Sequence, residues 1–129
     1  MEAMLKKISI GPKDSLEEAV KVMGNFGVSA LAVVDGEKLV GILSAKDLFK
    51  SFVSAKYHNG QTGFVDTLMT SSPESIEYNQ SLHFVIDVFM KGSHHYYPVV
   101  DKGVFKGTIY REDLLKEVDK MPNATWHPH

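Results

Sequence analysis

The sequence contains no cysteine. This absence excludes a disulfide scaffold, a thiol nucleophile and every zinc site built on cysteine ligands. The chain also lacks an apolar run of the ~18–20 residues that a bilayer-spanning helix needs, and its first residues lack the hydrophobic stretch of a secretory signal peptide. We therefore expect a cytoplasmic protein with no membrane partner.

An excess of charge of one sign is also missing, because 14 basic residues stand against 16 acidic ones. A nucleic-acid-binding domain would carry a basic excess, so we expect no nucleic-acid partner. The sequence has no nucleophile elbow, Walker loop or dinucleotide fingerprint. Its six histidines lack the helical spacing of paired zinc ligands. We therefore predict that the protein is not an enzyme and has no catalytic residue and no metal site.

What the chain does contain is an internal repeat. Residues 9–50 align with residues 75–116 without a gap, at a constant shift of 66 positions. The identities fall at turns, at helix starts and in the predicted core, and they include Ser15/Ser81, Leu16/Leu82, Val33/Val99, Val34/Val100, Asp35/Asp101, Gly41/Gly107, Asp47/Asp113 and Leu48/Leu114. A period of this length is too long for a solenoid and indicates a duplicated half-domain.

Each half shows the same order of predicted elements, β-α-β-β-α. An amphipathic helix follows Ser15 in the first half and Ser81 in the second, and Gly27 and Gly92 are expected to end these helices. Two apolar strands joined by a tight turn come next, a pattern typical of a β-hairpin. The predicted strands are Leu5–Ile10, Ala30–Val34, Leu39–Leu43, Glu74–Glu77, Tyr96–Val100 and Val104–Ile109, and the closing helices are Lys46–Ser54 and Glu112–Lys120.

The repeat divides the chain into residues 1–60 and 61–129. One half alone is too small to bury its sheet and helices, so the pair is expected to fold as one unit. Between the halves, Ala55–Gly63 is predicted to be a surface linker and Phe64–Met69 a short helix. The tail at 121–129 has no periodicity and is predicted to be mobile.

The hairpin and last helix of each half resemble a known family. The residues that carry the resemblance are Tyr97-Pro98-Val99-Val100-Asp101 with Gly107-Thr108-Ile109-Tyr110-Arg111-Glu112-Asp113-Leu114-Leu115, Val33-Val34-Asp35-Gly36 with Gly41-Ile42-Leu43-Ser44-Ala45-Lys46-Asp47-Leu48, and the lead-in Leu68-Met69-Thr70. They are similar to the cystathionine-β-synthase-type (CBS) domain, over roughly residues 5–120. The resemblance implies an α/β (α+β) fold in which two β-α-β-β-α motifs pack through their sheets with pseudo-two-fold symmetry.

The resemblance also implies a function. Paired CBS motifs, called Bateman modules, commonly bind AMP, ADP, ATP, S-adenosylmethionine or a related adenosine compound in clefts between the two motifs. They regulate an attached protein or a partner in trans, and they frequently form homodimers. We therefore expect a regulatory module with an adenosine-type ligand and no required cofactor. The alternatives are a ligand-free scaffold for dimerisation or partner binding, and metal-dependent sensing through the histidines.

In the first half, Gly41, Ser44, Lys46 and Asp47 are the candidate ligand residues. Glycine in a strand permits the close approach of a ligand or of backbone. Ser44 stands where a strand enters a helix, and the free N–H groups and dipole of a helix start favour a phosphate. Lys46 is a second phosphate candidate, and an ionised Asp47 can accept hydrogen bonds from both hydroxyls of a ribose. The resemblance assigns these roles to the matching Ser and Asp of family members.

The second half departs from this pattern, because Tyr110 stands where Ser44 stands in the first. The bulkier phenol either contacts a ligand or fills its pocket. Arg111 offers a better phosphate fork than Lys46, and Asp113 is the second ribose candidate. Both one site and two sites are compatible with this sequence.

The resemblance places the adenine near Ile8–Ile10 with Val28–Ala30, and near Ser75–Ile76 with His94–Tyr96. Tyr96 and His95 are candidates for stacking on the base. A simpler interpretation stands beside each of these. Residues of the sheet edge also pack there without any ligand, and Ser44 with Asp47 is also an ordinary helix start in which the serine caps the helix. Capping and ligand binding are compatible roles.

Overall fold

The computed structural model describes residues 1–122. The first half contains β1 (Leu5–Lys6), β2 (Ser9–Ile10), α1 (Leu16–Phe26), β3 (Ala30–Asp35), β4 (Lys38–Ser44) and α2 (Ala45–His58). The second half contains β5 (Thr70–Ser71), β6 (Ile76–Glu77), α3 (Leu82–Lys91), β7 (Tyr96–Asp101), β8 (Val104–Tyr110) and α4 (Arg111–Asp119). Most of the tail predicted to be mobile lies outside the described residues.

The order and pairing of the strands follow the repeat in the sequence. Their main order is β2-β3-β4-β8-β7-β6, so the two halves meet where Lys38 of β4 pairs with Val104 of β8. In each half a parallel pair is followed by an antiparallel hairpin. Each hairpin also shifts register at the same place, directly after the pair Val33–Gly41 and after the pair Val99–Gly107. The predicted fold class and its pseudo-two-fold symmetry are therefore confirmed.

The prediction of one strand over Leu5–Ile10 is wrong. The structure divides this segment into β1, which pairs antiparallel with β8 of the other half, and β2, which pairs parallel with β3 of its own half. The chain has to turn between the two because their partners belong to different halves. The second half repeats the arrangement, since β5 crosses to β4 and β6 stays with β7.

The helices begin where the sequence predicts. Ser15 accepts a hydrogen bond from the backbone N–H of Glu18 and Ser81 from that of Phe84, each at 3.1 Å. The closing helix α2, however, continues to His58 and ends at Asn59 in the left-handed conformation. The segment Ala55–Gly63 was predicted to be a linker, and its first four residues are therefore helical. Basic side chains in the last turn favour this extension through the helix dipole.

The apolar residues form one buried cluster in each half, and the chain crosses between them. Val65, which precedes β5, is fully buried in the cluster of the first half. Met4, which precedes β1, is buried in the cluster of the second. Each half therefore completes the core of the other, and this explains why a single half does not suffice.

The turn between β7 and β8 places a lysine in a backbone conformation that lysine disfavours. Lys102 and Gly103 both have positive φ, at 51° and 86°, which is the signature of a type I′ turn. Lysine is strained there, whereas asparagine tolerates the left-handed conformation and Asn-Gly is a preferred pair in this turn. We expect Lys102→Asn to raise the free energy of unfolding by about 0.5–1 kcal/mol. Thermal unfolding checks this, and Lys102→Val should destabilise the protein; a fall in stability for Lys102→Asn would contradict the turn assignment.

Candidate functional site

A cleft between the two halves brings several of the predicted ligand residues together. It has a volume of about 270 Å³ and lies where β4 enters α2, opposite the lead-in to the second half and the start of β7. We call it the first cleft. Its lining residues are Ile42, Ser44, Asp47, Thr70, Ser72, Pro73, Glu74, His94, Tyr96 and Pro98.

One wall of the first cleft is the start of α2. The hydroxyl Oγ of Ser44 accepts a hydrogen bond from the backbone N–H of Asp47 at 3.2 Å and donates one to Asp47 Oδ2 at 3.0 Å. Ser44 is therefore the N-cap of α2, as the simpler interpretation holds. The same geometry points the positive end of the helix dipole toward the cleft and leaves Asp47 half-buried on its lining. This wall offers hydrogen-bond acceptors beside a site that favours an anion.

The opposite wall comes from the second half. Tyr96 is half-buried, and burial raises the pKa of its phenol, an effect to which the negative charge of Asp47 adds. Tyr96 therefore remains a neutral hydrogen-bond donor facing a carboxylate. The ring of His94 lies 6.2 Å from that of Tyr96, and its Nε2 atom is 4.0 Å from Glu74 Oε1. Two rings thus stand across the cleft from the helix start, a combination of polar and flat apolar surface that suits a nucleoside.

The repeat places a second cleft at the symmetry-related position between the halves. This second cleft is formed by Lys6 and Ala30 of the first half and by Tyr110 and Asp113 of the second. Tyr110 is only 4% exposed, and its hydroxyl donates a hydrogen bond of 2.7 Å to the carbonyl oxygen of Ala30. Lys6 Nζ lies 3.3 Å from Asp113 Oδ2. Tyr110, which mirrors Ser44, is therefore hydrogen-bonded within the chain, and Asp113, which mirrors Asp47, is ion-paired although its buried Oδ2 accepts no hydrogen bond.

The remaining predicted residues lie outside the first cleft. Gly41 is buried in β4, and a Cβ added there would approach Met69 Sδ to 2.6 Å and the carbonyl oxygen of Thr70 to 3.0 Å. The space that this glycine leaves is thus taken by the crossing strand β5. Lys46 and Arg111 are exposed on the first turns of α2 and α4. They are not on the first-cleft lining, and their part in binding stays a prediction.

Sequence reasoning missed the floor of the first cleft. Thr70, Ser72, Pro73 and Glu74 line it, although the sequence presented them only as the lead-in to the second half. The signal is the lead-in that begins Leu68-Met69-Thr70, which carries part of the family resemblance. What the sequence did not reveal is that this segment crosses to pair with β4 and so lies beside Ser44 and Asp47.

Comparison with known proteins decides the family. A family model for the CBS domain matches residues 1–54 and again residues 65–120. The chain belongs to the CBS domain family. The two matches make it a CBS pair, and their boundaries agree with the two halves of the sheet. Within residues 1–122, no helix combines the length and the apolar character that crossing a membrane requires. The same residues contain no group of three or more His, Asp or Glu side chains arranged to hold a metal ion.

Relatives of this CBS pair include a segment of a longer enzyme and solved CBS-domain chains of similar length. Inosine-5'-monophosphate dehydrogenase from Aquifex aeolicus is 32% identical over 94% of this chain, but the chain spans only 24% of that enzyme's length. A structure of CBSX2 from Arabidopsis thaliana in complex with AMP matches with a TM-score of 0.78 at 21% identity, covering 92% of this chain and 95% of that one. The CBS-domain protein ATU1752 from Agrobacterium tumefaciens matches with a TM-score of 0.72 at 23% identity, covering 88% and 90%.

Proposed function

We propose that this CBS pair is a cytoplasmic regulatory module, without catalytic activity, that binds an adenosine-containing nucleotide in the first cleft. The observation that carries the proposal is the meeting, in one cleft of about 270 Å³, of Ser44 and Asp47 from the first half with Tyr96 from the second. The AMP that accompanies the similarly folded CBSX2 supports an adenine nucleotide as the ligand.

Each of the three residues has a role that follows from its chemistry. Asp47 keeps an oxygen beyond the one bonded to Ser44, and a carboxylate accepts the paired hydroxyls of a ribose. Ser44 and the free N–H groups of α2 receive the phosphate, and the exposed Lys46 adds positive charge nearby. Tyr96 with His94 holds the adenine against the wall of the second half. S-adenosylmethionine presents the same adenosine and is the second ligand class for this site.

Because the ligand contacts both halves, its binding favours the arrangement in which the cleft is closed around it. Such a preference is the condition for regulation, since a ligand shifts an equilibrium only by its differential affinity for two states. We assign the output to a homodimer or a regulated protein in trans. Phe49 of α2 and Leu115 of α4 occupy matching repeat positions and are 71% and 65% exposed, so both halves offer an apolar helix face to a second copy.

The competing function is a scaffold that binds no ligand. The observation in its favour is the second cleft, which Tyr110 fills. The scaffold function would require that the first cleft binds no ligand either. The small side chains of Ser44 and Ser72, however, leave room for a ligand in that cleft.

A thermal-shift panel tests the proposed function. AMP, ADP, ATP, S-adenosylmethionine and NAD are each added at millimolar concentration to the wild type and to Asp47→Ala, with GMP as the non-adenine control. A ligand at about 100 times its Kd adds ~2.7 kcal/mol to the free energy of unfolding, which raises Tm by roughly 10 °C in a domain of this size. We expect this shift for at least one adenosine compound and its loss in Asp47→Ala. A flat panel on a folded wild type would instead support the scaffold.

A further inference from the structure

We infer that the second cleft is closed by the chain's own side chains, so that each chain binds one nucleotide and not two. The inference depends on the proposed function in one respect only, namely that the ligand of the first cleft is a nucleotide. It concerns four residues, Lys6, Ala30, Tyr110 and Asp113, which hold in the second cleft the positions that Ser72, Tyr96, Ser44 and Asp47 hold in the first cleft.

Tyr110 closes the cleft from the sheet side. Its hydroxyl crosses from the end of β8 to the carbonyl oxygen of Ala30 at the start of β3, and this 2.7 Å hydrogen bond is buried. In the first cleft the corresponding residues, Ser44 and Tyr96, both line the open cavity. Burial, with the nearby charge of Asp113, raises the pKa of Tyr110, so the phenol remains a donor at any physiological pH. Deprotonation therefore does not break this hydrogen bond between the halves in the physiological pH range.

Lys6 closes the cleft from the side of the crossing strand. Its Nζ atom pairs with Asp113 Oδ2 at 3.3 Å, and it also lies over the ring of Tyr110, 5.8 Å from the ring centroid. The Asp113 side chain is only 12% exposed, whereas that of Lys6 is 45% exposed, so the carboxylate is shielded from water and the lysine covers it from the solvent side. A ribose that bound Asp113 Oδ2 would displace Lys6, which removes the charge partner of a nearly buried group and is costly. The lysine therefore occupies the position that a ligand's diol would need.

The first cleft has small or neutral side chains at the same positions. Ser72 replaces Lys6 and carries no charge, and Ser44 replaces Tyr110 and reaches only to Asp47. The residue that faces the helix start is Tyr96 in the first cleft and Ala30 in the second. Tyr96 is half-buried and leaves the space between itself and the helix start open. The repeat thus has one open and one self-filled cleft.

Isothermal titration with AMP on the intact chain tests the inference. We expect one site per chain, with affinity falling at least tenfold in Asp47→Asn and changing less than threefold in the matched variant Asp113→Asn. Two sites in the wild type, or a loss of binding in Asp113→Asn as large as that in Asp47→Asn, would overturn it while leaving the proposed function standing. Absence of any heat with AMP and with the other nucleotides would count against the proposed function instead.

A second measurement needs no ligand and therefore decides the closure in either case. In a double-mutant cycle, Lys6→Ala and Asp113→Ala are compared singly and together by thermal unfolding, with Lys7→Ala as the control for loss of a neighbouring exposed lysine. We expect the double variant to lose several degrees less in Tm than the sum of the single variants, because the two side chains form one pair. Additive losses would show that Lys6 does not hold Asp113, and would overturn the inference.

A variant that opens the second cleft completes the test. Lys6→Ala combined with Tyr110→Ser removes both closing side chains and restores a serine at the helix start. If it retains the wild-type circular dichroism spectrum, we expect its AMP stoichiometry to rise from one to two. A folded variant that still binds one nucleotide would mean that other groups close the cleft. If the variant does not fold, the wild-type stoichiometry and the mutant cycle still decide.

Discussion

Replacing Gly92 by alanine is expected to lower the free energy of unfolding by about 3 kcal/mol, near the upper end of typical overpacking costs. Gly92 ends α3 with extended backbone, φ −83° and ψ 170°, so the added methyl causes no backbone strain of its own. Its Cβ would instead stand 1.8 Å from the hydroxyl oxygen of Tyr97 and 2.9 Å from the carbonyl oxygen of Val88. Tyr97 is 1% exposed and packs edge-on against Phe89, with ring centroids 4.9 Å apart, so it has little room to move away.

Thermal unfolding measures this effect, and a fall in Tm of about 10 °C is expected. The matched control is Gly24→Ala in the last turn of α1, where an added Cβ meets nothing within 4 Å. Alanine there should raise stability by about 1 kcal/mol, because glycine is a poor helix former. Adding Tyr97→Phe to Gly92→Ala should recover part of the loss, since it removes the nearest atom. Equal stability of Gly92→Ala and the wild type would contradict the packing described for Tyr97.

Replacing Ser44 by tyrosine is expected to reduce nucleotide affinity at least a hundredfold. The substitution copies into the first half the residue that fills the second cleft, where Tyr110 is buried and bonded to the facing strand. The introduced phenol would take the space between α2 and Tyr96. It also removes the hydroxyl that caps α2, at a cost of about 1 kcal/mol. The fold should tolerate this, because Tyr110 holds the N-cap position of α4 without a side-chain hydrogen bond to that helix.

Titration with the nucleotide that gives the largest thermal shift measures the loss. Ser44→Thr, which keeps the hydroxyl and the cap, is the control and should bind within a few-fold of the wild type. Ser44→Ala separates the lost hydroxyl from the added bulk and should fall between the two. Wild-type affinity in a folded Ser44→Tyr would place the ligand outside the first cleft.

The fold was largely predictable from the sequence because its signals are local. Ser15 and Ser81 cap the helices that they were expected to cap, and the two hairpins lie where apolar runs flank a short turn. The errors occurred where a distant partner decides the structure. Leu5–Ile10 reads as one strand because it contains no glycine or proline, and only the positions of β8 and β3 divide it into two.

The candidate site was predictable in part for the same reason. Ser44 and Asp47 follow one another in a recognisable helix start, and the structure places both on the first cleft. The contact of Lys6 with Asp113 could not be predicted, because the two residues come together only when β1 crosses to β8. The repeat alignment obscured the difference between the clefts, because it pairs Asp47 with an identical residue, Asp113. Whether each carboxylate is free to bind a ligand depends on its neighbours in space, such as Lys6 beside Asp113.

The crossing of β1 to β8 also has a consequence for how the protein acquires its structure. Leu5 pairs with Ile109, a residue about a hundred positions later in the chain. Contacts of such sequence separation require the closure of a long loop before they stabilise anything, and they slow folding. During synthesis, the first half emerges with its β1 strand unpaired and with Val65, which belongs to its core, still to come. Strand β1 therefore cannot pair until β8 has been synthesised, so the contact between β1 and β8 is expected to form late in folding.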